Sequence, residues 1–106
     1  MKNHRLAFHI PHVAYINGDF YPIPYAEFEE AFGDALVDLG VEGWHIIEAT
    51  GVYTGRRYKQ DILVVFCNYD EQKSILDAFK STCSVWSSDM MQEQFAYEHD
   101  GVLVTF

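Results

Sequence analysis

The chain has 106 residues and a formal net charge of -9, from 7 Lys and Arg against 16 Asp and Glu. That length gives a single domain, residues 1–106, able to bury about two thirds of its unfolded surface without metals or disulfides. With 49% hydrophobic and 16% aromatic residues the chain is not intrinsically disordered, and its longest apolar run, Ile62 to Cys67, falls far short of a membrane span.

The N-terminal "MKNHRLAFHI" places positive charge before apolar residues, but His9, Pro11 and His12 interrupt it before a signal-peptide core forms, so a cytoplasmic protein is expected. Leu6 to about Tyr15 reads as the first strand. Asn17-Gly18 then turns the chain, because both residues tolerate positive φ. From Pro24 to Leu39 the apolar residues Phe28, Phe32, Ala35, Leu36 and Leu39 recur at spacings of three and four, which predicts an amphipathic helix with Pro24 in its first turn and Gly40 and Gly43 as its stop.

Trp44 to Tyr53 and Arg57 to Cys67 are two β-rich runs joined at Thr54-Gly55, which predicts an antiparallel hairpin. Its second arm, "ILVVFC", is apolar on both faces and reads as a central strand. A second helix follows, with Asp70 as cap, Ile75, Leu76 and Phe79 as its buried face, and an end near Cys83. "QFAYEHDGVLVTF" closes the chain as a hairpin about Asp100-Gly101, with Phe95 and Tyr97 on one side and Ala96 and Glu98 on the other. The order is strand, helix, strand, strand, helix, strand, with one extra C-terminal hairpin strand. This predicts an α+β, ferredoxin-like split βαβ fold, an antiparallel sheet with two helices on one face. The uncovered face predicts a homodimer.

The series "FHIP", "NGDFYPIP", "GVYTGRRYKQDILVVF" and "QEQFAYEHDGVLVTF" resembles a group of small, functionally uncharacterised bacterial and phage-borne proteins. In that group a G-x-aromatic-x-G hairpin precedes an apolar central strand and a Gln-Glu pair precedes the last strands. The resemblance implies the ferredoxin-like fold and marks Gly51, Tyr53, Gly55, Tyr58, Gln92 and Glu93, without assigning an activity. It departs at Asp61, where the similar sequences often carry a small polar residue.

Charge is unevenly distributed along the chain. Between Leu6 and Gly55 there is no Lys or Arg, while Asp19, Glu27, Glu29, Glu30, Asp34, Asp38, Glu42 and Glu48 supply eight negative charges. Glu27, Glu30, Asp34 and Asp38 form one helical stripe with no basic partner, at spacings where like charges destabilise. Such a stripe is either a solvated face or a docking surface for a basic partner protein, and it repels nucleic acid.

Arg56, Arg57 and Lys59 then arrive together. A hairpin turning at Thr54-Gly55 sets Tyr53 opposite Arg56, Val52 opposite Arg57 and Thr50 opposite Lys59. Tyr53, Arg56, Arg57, Tyr58 and Lys59 therefore suit an anionic or planar ligand, protection of a hairpin edge, or contact with the acidic helix of a second subunit. The same register sets Glu48 against Asp61, a carboxylate pair of the kind acid/base chemistry uses.

The five histidines are scattered and give no metal-site spacing, and no cofactor is expected. Cys67 and Cys83 are expected to be free, buried thiols. No nucleotide, zinc-hydrolase or serine-hydrolase motif is present in the sequence. The residues point first to a non-catalytic acidic interaction protein, in its specific form a phage or mobile-element inhibitor of a nucleic-acid-handling or defence protein, anti-CRISPR-like. The alternative is a small-molecule-binding protein or enzyme with a pocket near the 48–61 hairpin, between helices and sheet and lined by Tyr53, Tyr58, Glu48 and Asp61.

Overall fold

The computed structural model describes residues 2–92 and 94–106. Strand β1 (His4–Pro11) pairs antiparallel with β5 (Arg56–Cys67) on one side and with β6 (Ala96–His99) on the other. β4 (His45–Tyr53) and β7 (Val102–Thr105) complete a five-stranded sheet of order β4-β5-β1-β6-β7. Helices α1 (Tyr25–Asp38) and α2 (Tyr69–Trp86) pack on each other and on β1. This is the ferredoxin-like α+β plan, with the expected extra strand β7 at one edge.

Strand alternation explains which side the helices cover. Leu6, Phe8 and Ile10 of β1 stand opposite Val65, Leu63 and Asp61 of β5, and all but the aspartate belong to the core shared with the helices. Phe8 lies 4.4 Å from Phe79 of α2 and 4.9 Å from Phe32 of α1, ring centre to ring centre. Each such buried ring contributes about 1.5–3 kcal/mol relative to exposure.

Both hairpins of the five-stranded sheet turn where expected. Thr54 and Gly55 have φ of 51° and 78°, Asp100 and Gly101 of 49° and 86°, so each two-residue turn has the positive φ pair that matches strand twist. The register of β4 on β5 is the one the turn dictates, with Tyr53 on Arg56, Thr50 on Lys59 and Glu48 on Asp61. α1 ends in a Schellman arrangement: the Gly40 N–H donates to Val37 O at 2.9 Å and the Val41 N–H to Leu36 O at 3.0 Å, with Gly40 at φ 82°.

Four local expectations are corrected. The first strand does not run from Leu6 to Tyr15: it breaks after Pro11, which has no N–H to extend a ladder, and the chain forms a separate hairpin of β2 (Val13–Ile16) and β3 (Asp19–Pro22) about Asn17-Gly18. Leu39 is not core but an exposed C-cap, because the helix ends there. The cap of α2 is Asn68 rather than Asp70: its side chain accepts from Glu71 N at 3.1 Å, and Glu71 accepts from Asn68 N at 3.0 Å. α2 also runs on past Cys83 to Trp86.

Cys67 and Cys83 are free and buried. Burial raises the Cys67 thiol and pushes that of Cys83 up to about 12, so neither is a thiolate at neutral pH. Among the described residues no helix is long and apolar enough to cross a membrane.

Candidate functional site

The face of the sheet away from the helices carries a cleft of about 1080 Å³. Its floor comes from alternate residues of the strands: His9 and Pro11 of β1, Tyr53 of β4, Tyr58 and Gln60 of β5, Ala96 of β6, Leu103 and Thr105 of β7. One wall is the β2–β3 hairpin, through Tyr15, Ile16 and Phe20; the other is the segment Met91, Gln92, Gln94 and Phe95. No Lys, Arg or Asp lines it among the described residues.

The wall is held by an aromatic cluster that joins two hairpins distant in sequence. Tyr15 meets Tyr53 edge to face at 4.8 Å and Phe20 at 5.2 Å, and Phe20 lies 5.9 Å from Tyr58. Arg56 fastens it: its guanidinium donates to Gly18 O at 2.5 Å, stands 3.8 Å from Asp19 Oδ1 and covers the Phe20 ring at 4.7 Å. Thr54 Oγ1 donates to the Tyr15 hydroxyl at 3.3 Å.

Tyr58 is seated on Gly51, its partner across the strand pair. A Cβ at Gly51 would lie inside the Tyr58 ring, against Cζ, Cε1 and Oη. Glycine at this position is therefore a packing requirement of the cleft floor.

Of the cationic residues singled out in the sequence, Arg56 is engaged within the chain, while Arg57 and Lys59 lie exposed on the opposite face. There they border a smaller hollow of about 480 Å³ with His12, Val13, Phe20, Thr50 and Tyr58. Tyr53 and Tyr58 belong to the large cleft and do not share a pocket between helices and sheet with Glu48 and Asp61, because strand alternation puts the two pairs on opposite faces. The basic cluster is thus split by strand alternation. Gln92 also lines the cleft; Glu93, marked with it in the sequence, lies outside the described residues.

Glu48 and Asp61 are paired in register, but their environments differ: Glu48 is exposed on an edge strand and Asp61 is 7% exposed beneath α1. The groups against Asp61 are ones the sequence does not bring together. His12 Nε2 lies 2.8 Å from Asp61 Oδ1, with its ring stacked on Tyr25 at 3.6 Å. Glu29 of α1 faces the same carboxyl, and burial together with the neighbouring Asp61 pushes it up to about 8. Glu29 Oε1 has no hydrogen-bond partner among the described residues. The clue in the sequence was the repeat Tyr25, Glu29, Phe32, Leu36, which puts Glu29 on the buried face, one position off the acidic stripe.

Glu27, Glu30, Asp34 and Asp38 are all exposed along α1, and none makes an ion pair among the described residues. Arg56 is engaged by the β2–β3 hairpin, and none of Arg56, Arg57 and Lys59 makes an ion pair with this helix among the described residues.

No family model and no curated protein matches the chain. Among solved structures it is similar to a DUF3240-family protein from Shewanella baltica OS155, at 13% identity over 94% of this chain and 90% of that one, with a TM-score of 0.61. It is similar to a phage SAM lyase in complex with S-methyl-5'-thioadenosine, at 11% identity over 97% of this chain and 88% of that one, with a TM-score of 0.57. A phage SAM lyase in the apo state gives 13% identity, 97% and 87% coverage and a TM-score of 0.53. At these identities the likeness shows the fold.

Proposed function

We propose that the large cleft binds an adenosyl sulfonium or thioether, the S-adenosylmethionine class, and that the protein acts on the sulfonium as a lyase. The observation that carries this reading is the lining: Tyr15, Phe20, Tyr53 and Tyr58 border a space of about 1080 Å³ with no Lys or Arg among its described residues. Aromatic faces stack on a purine and attract a sulfonium cation, whereas a phosphate-bearing nucleotide needs Lys or Arg. The net charge of -9 draws cations toward the site. The fold shared with a phage SAM lyase supplies the reaction to test, since that protein's structure holds S-methyl-5'-thioadenosine. The proposed location is the cytoplasm, where free thiols such as Cys67 and Cys83 persist.

The test is calorimetry with S-methyl-5'-thioadenosine together with chromatography of S-adenosylmethionine incubated with the protein. Binding and release of the thioether are expected. Tyr58→Ala should weaken binding by about tenfold, the worth of one good aromatic contact. Gly51→Ala should do the same by displacing the Tyr58 ring while leaving the helix core folded. No heat and no product at millimolar ligand, or tighter binding of a nucleoside triphosphate, would end this reading.

A second reading rests on a different observation, the exposed carboxylates of Glu27, Glu30, Asp34 and Asp38, which make no ion pair among the described residues. This stripe suits docking on a basic partner protein, as an inhibitor of a nucleic-acid-handling or defence protein would do. Reversing all four charges should abolish capture of such a partner in a pull-down at low salt; undiminished capture removes the surface from consideration.

A further inference from the structure

At the end of β1 remote from the cleft, three side chains from two strands and a turn converge. His4 opens β1, His99 ends β6, and Asp100 begins the β6–β7 turn. Their ligand atoms all lie within 4.8 Å of one another. His4 Nδ1 is 2.8 Å and His99 Nε2 3.6 Å from the same oxygen, Asp100 Oδ2. Ligands about 2.0–2.2 Å from a tetrahedral ion stand a little over 3 Å apart, which these separations bracket.

The rest of the local structure fixes this group. The Arg5 N–H donates to Asp100 Oδ1 at 2.7 Å and the Asp100 N–H to Arg5 O at 2.9 Å, so the carboxylate is oriented with Oδ2 turned to the two imidazoles. Such outer contacts hold the ligands of real metal sites in place. His99 Nε2 is shielded from solvent yet has no hydrogen-bond partner among the described residues. A buried ring nitrogen facing a carboxylate oxygen without a hydrogen bond is a position that a cation would satisfy. His4 and Asp100 stay partly open, with side-chain exposures of 26% and 44%, so water has access to a fourth coordination position.

We propose that His4, His99 and Asp100 form a binding site for a divalent first-row transition metal, of zinc, cobalt or nickel type, with one position left to water or an external ligand. Two imidazoles and a carboxylate are borderline ligands that suit these ions over calcium or magnesium, which take oxygen donors. His4 and Pro11 stand at opposite ends of an eight-residue strand, so the site is spatially separate from the cleft and does not depend on the function proposed for it.

The experiment is titration of the untagged, metal-stripped chain with Co2+, followed by visible absorption, with Zn2+ binding measured by calorimetry. One ion per chain is expected, with the absorption of a four- or five-coordinate centre. His4→Ala, His99→Ala and Asp100→Asn should each weaken binding by tenfold or more. His4→Ala lies near the chain terminus and leaves the core untouched, so it carries the test if a turn variant loses its fold by circular dichroism. Absence of binding at about 1 mM Co2+, or affinity undiminished in His4→Ala and His99→Ala, would overturn the proposal. The second outcome would place the ion on His9, His12 or His45.

Discussion

Among the described residues Glu29 carries the largest change of acidity that the fold imposes on a carboxyl group, from an ordinary 4.5 to about 8. Burial is the main cause and the facing Asp61 carboxyl adds to it, while His12 lies on the other side of Asp61 and Glu48 across the strand pair. A carboxyl raised in the folded state binds its proton more tightly there than when unfolded. Its contribution to stability is therefore complete below about pH 4.5 and is lost as pH rises to about 8. Glu29→Gln keeps the neutral form at every pH, so it should flatten the stability profile across that window and raise the melting temperature above pH 8, as thermal unfolding at a series of pH values will read. An unchanged profile would show that the fold does not raise Glu29. The sequence made the register of Asp61 on Glu48 legible but not the burial of Asp61, because only the seating of α1 decides which carboxylate of a pair is covered.

Helix and hairpin ends were the most legible elements, since their signals are local. The positive φ of Asn17, Thr54 and Asp100, each followed by a glycine, is dictated by two-residue turns that match strand twist. The start of α2 shows the limit of such reading: Asn68 and Asp70 are both competent caps, and the reciprocal contact with Glu71 selects Asn68. Asn68→Ala should cost about 1 kcal/mol, a fall of some 4–8 °C in melting temperature, whereas Asp70→Ala should change it by less than half as much. Comparison of the two variants by urea and thermal unfolding checks this. The β2–β3 hairpin was the element read least well. Val13 to Tyr15 read in sequence as the end of the first strand, and the hairpin becomes a wall because Tyr15 meets Tyr53 and Arg56, from a hairpin some forty residues later, reaches Gly18 and Asp19.

On the scale of the whole molecule, one sheet face is packed under both helices and the other keeps apolar side chains in contact with water. Ile47, Phe66 and Leu103 are 45%, 49% and 59% exposed on that face, more than a small sheet keeps open without a partner. The expectation of self-association through it takes the form of a measurement: sedimentation should show a species heavier than the 12.2 kDa chain, and Phe66→Glu should return it to that mass. A wild-type monomer at high micromolar concentration would mean that the face is left free for another molecule. By itself the sequence determined the two helices, the two-residue turns and the register of β4 on β5, because periodicity and φ preference act between residues close in the chain. Only the tertiary structure decided that Arg56 is consumed within the molecule, that Tyr15 and Phe20 join Tyr53 and Tyr58 around a cleft, and that His4 meets His99 and Asp100. Those contacts span tens of residues and depend on which strand lies beside which, a choice made by packing the core as one body rather than by any single stretch of chain.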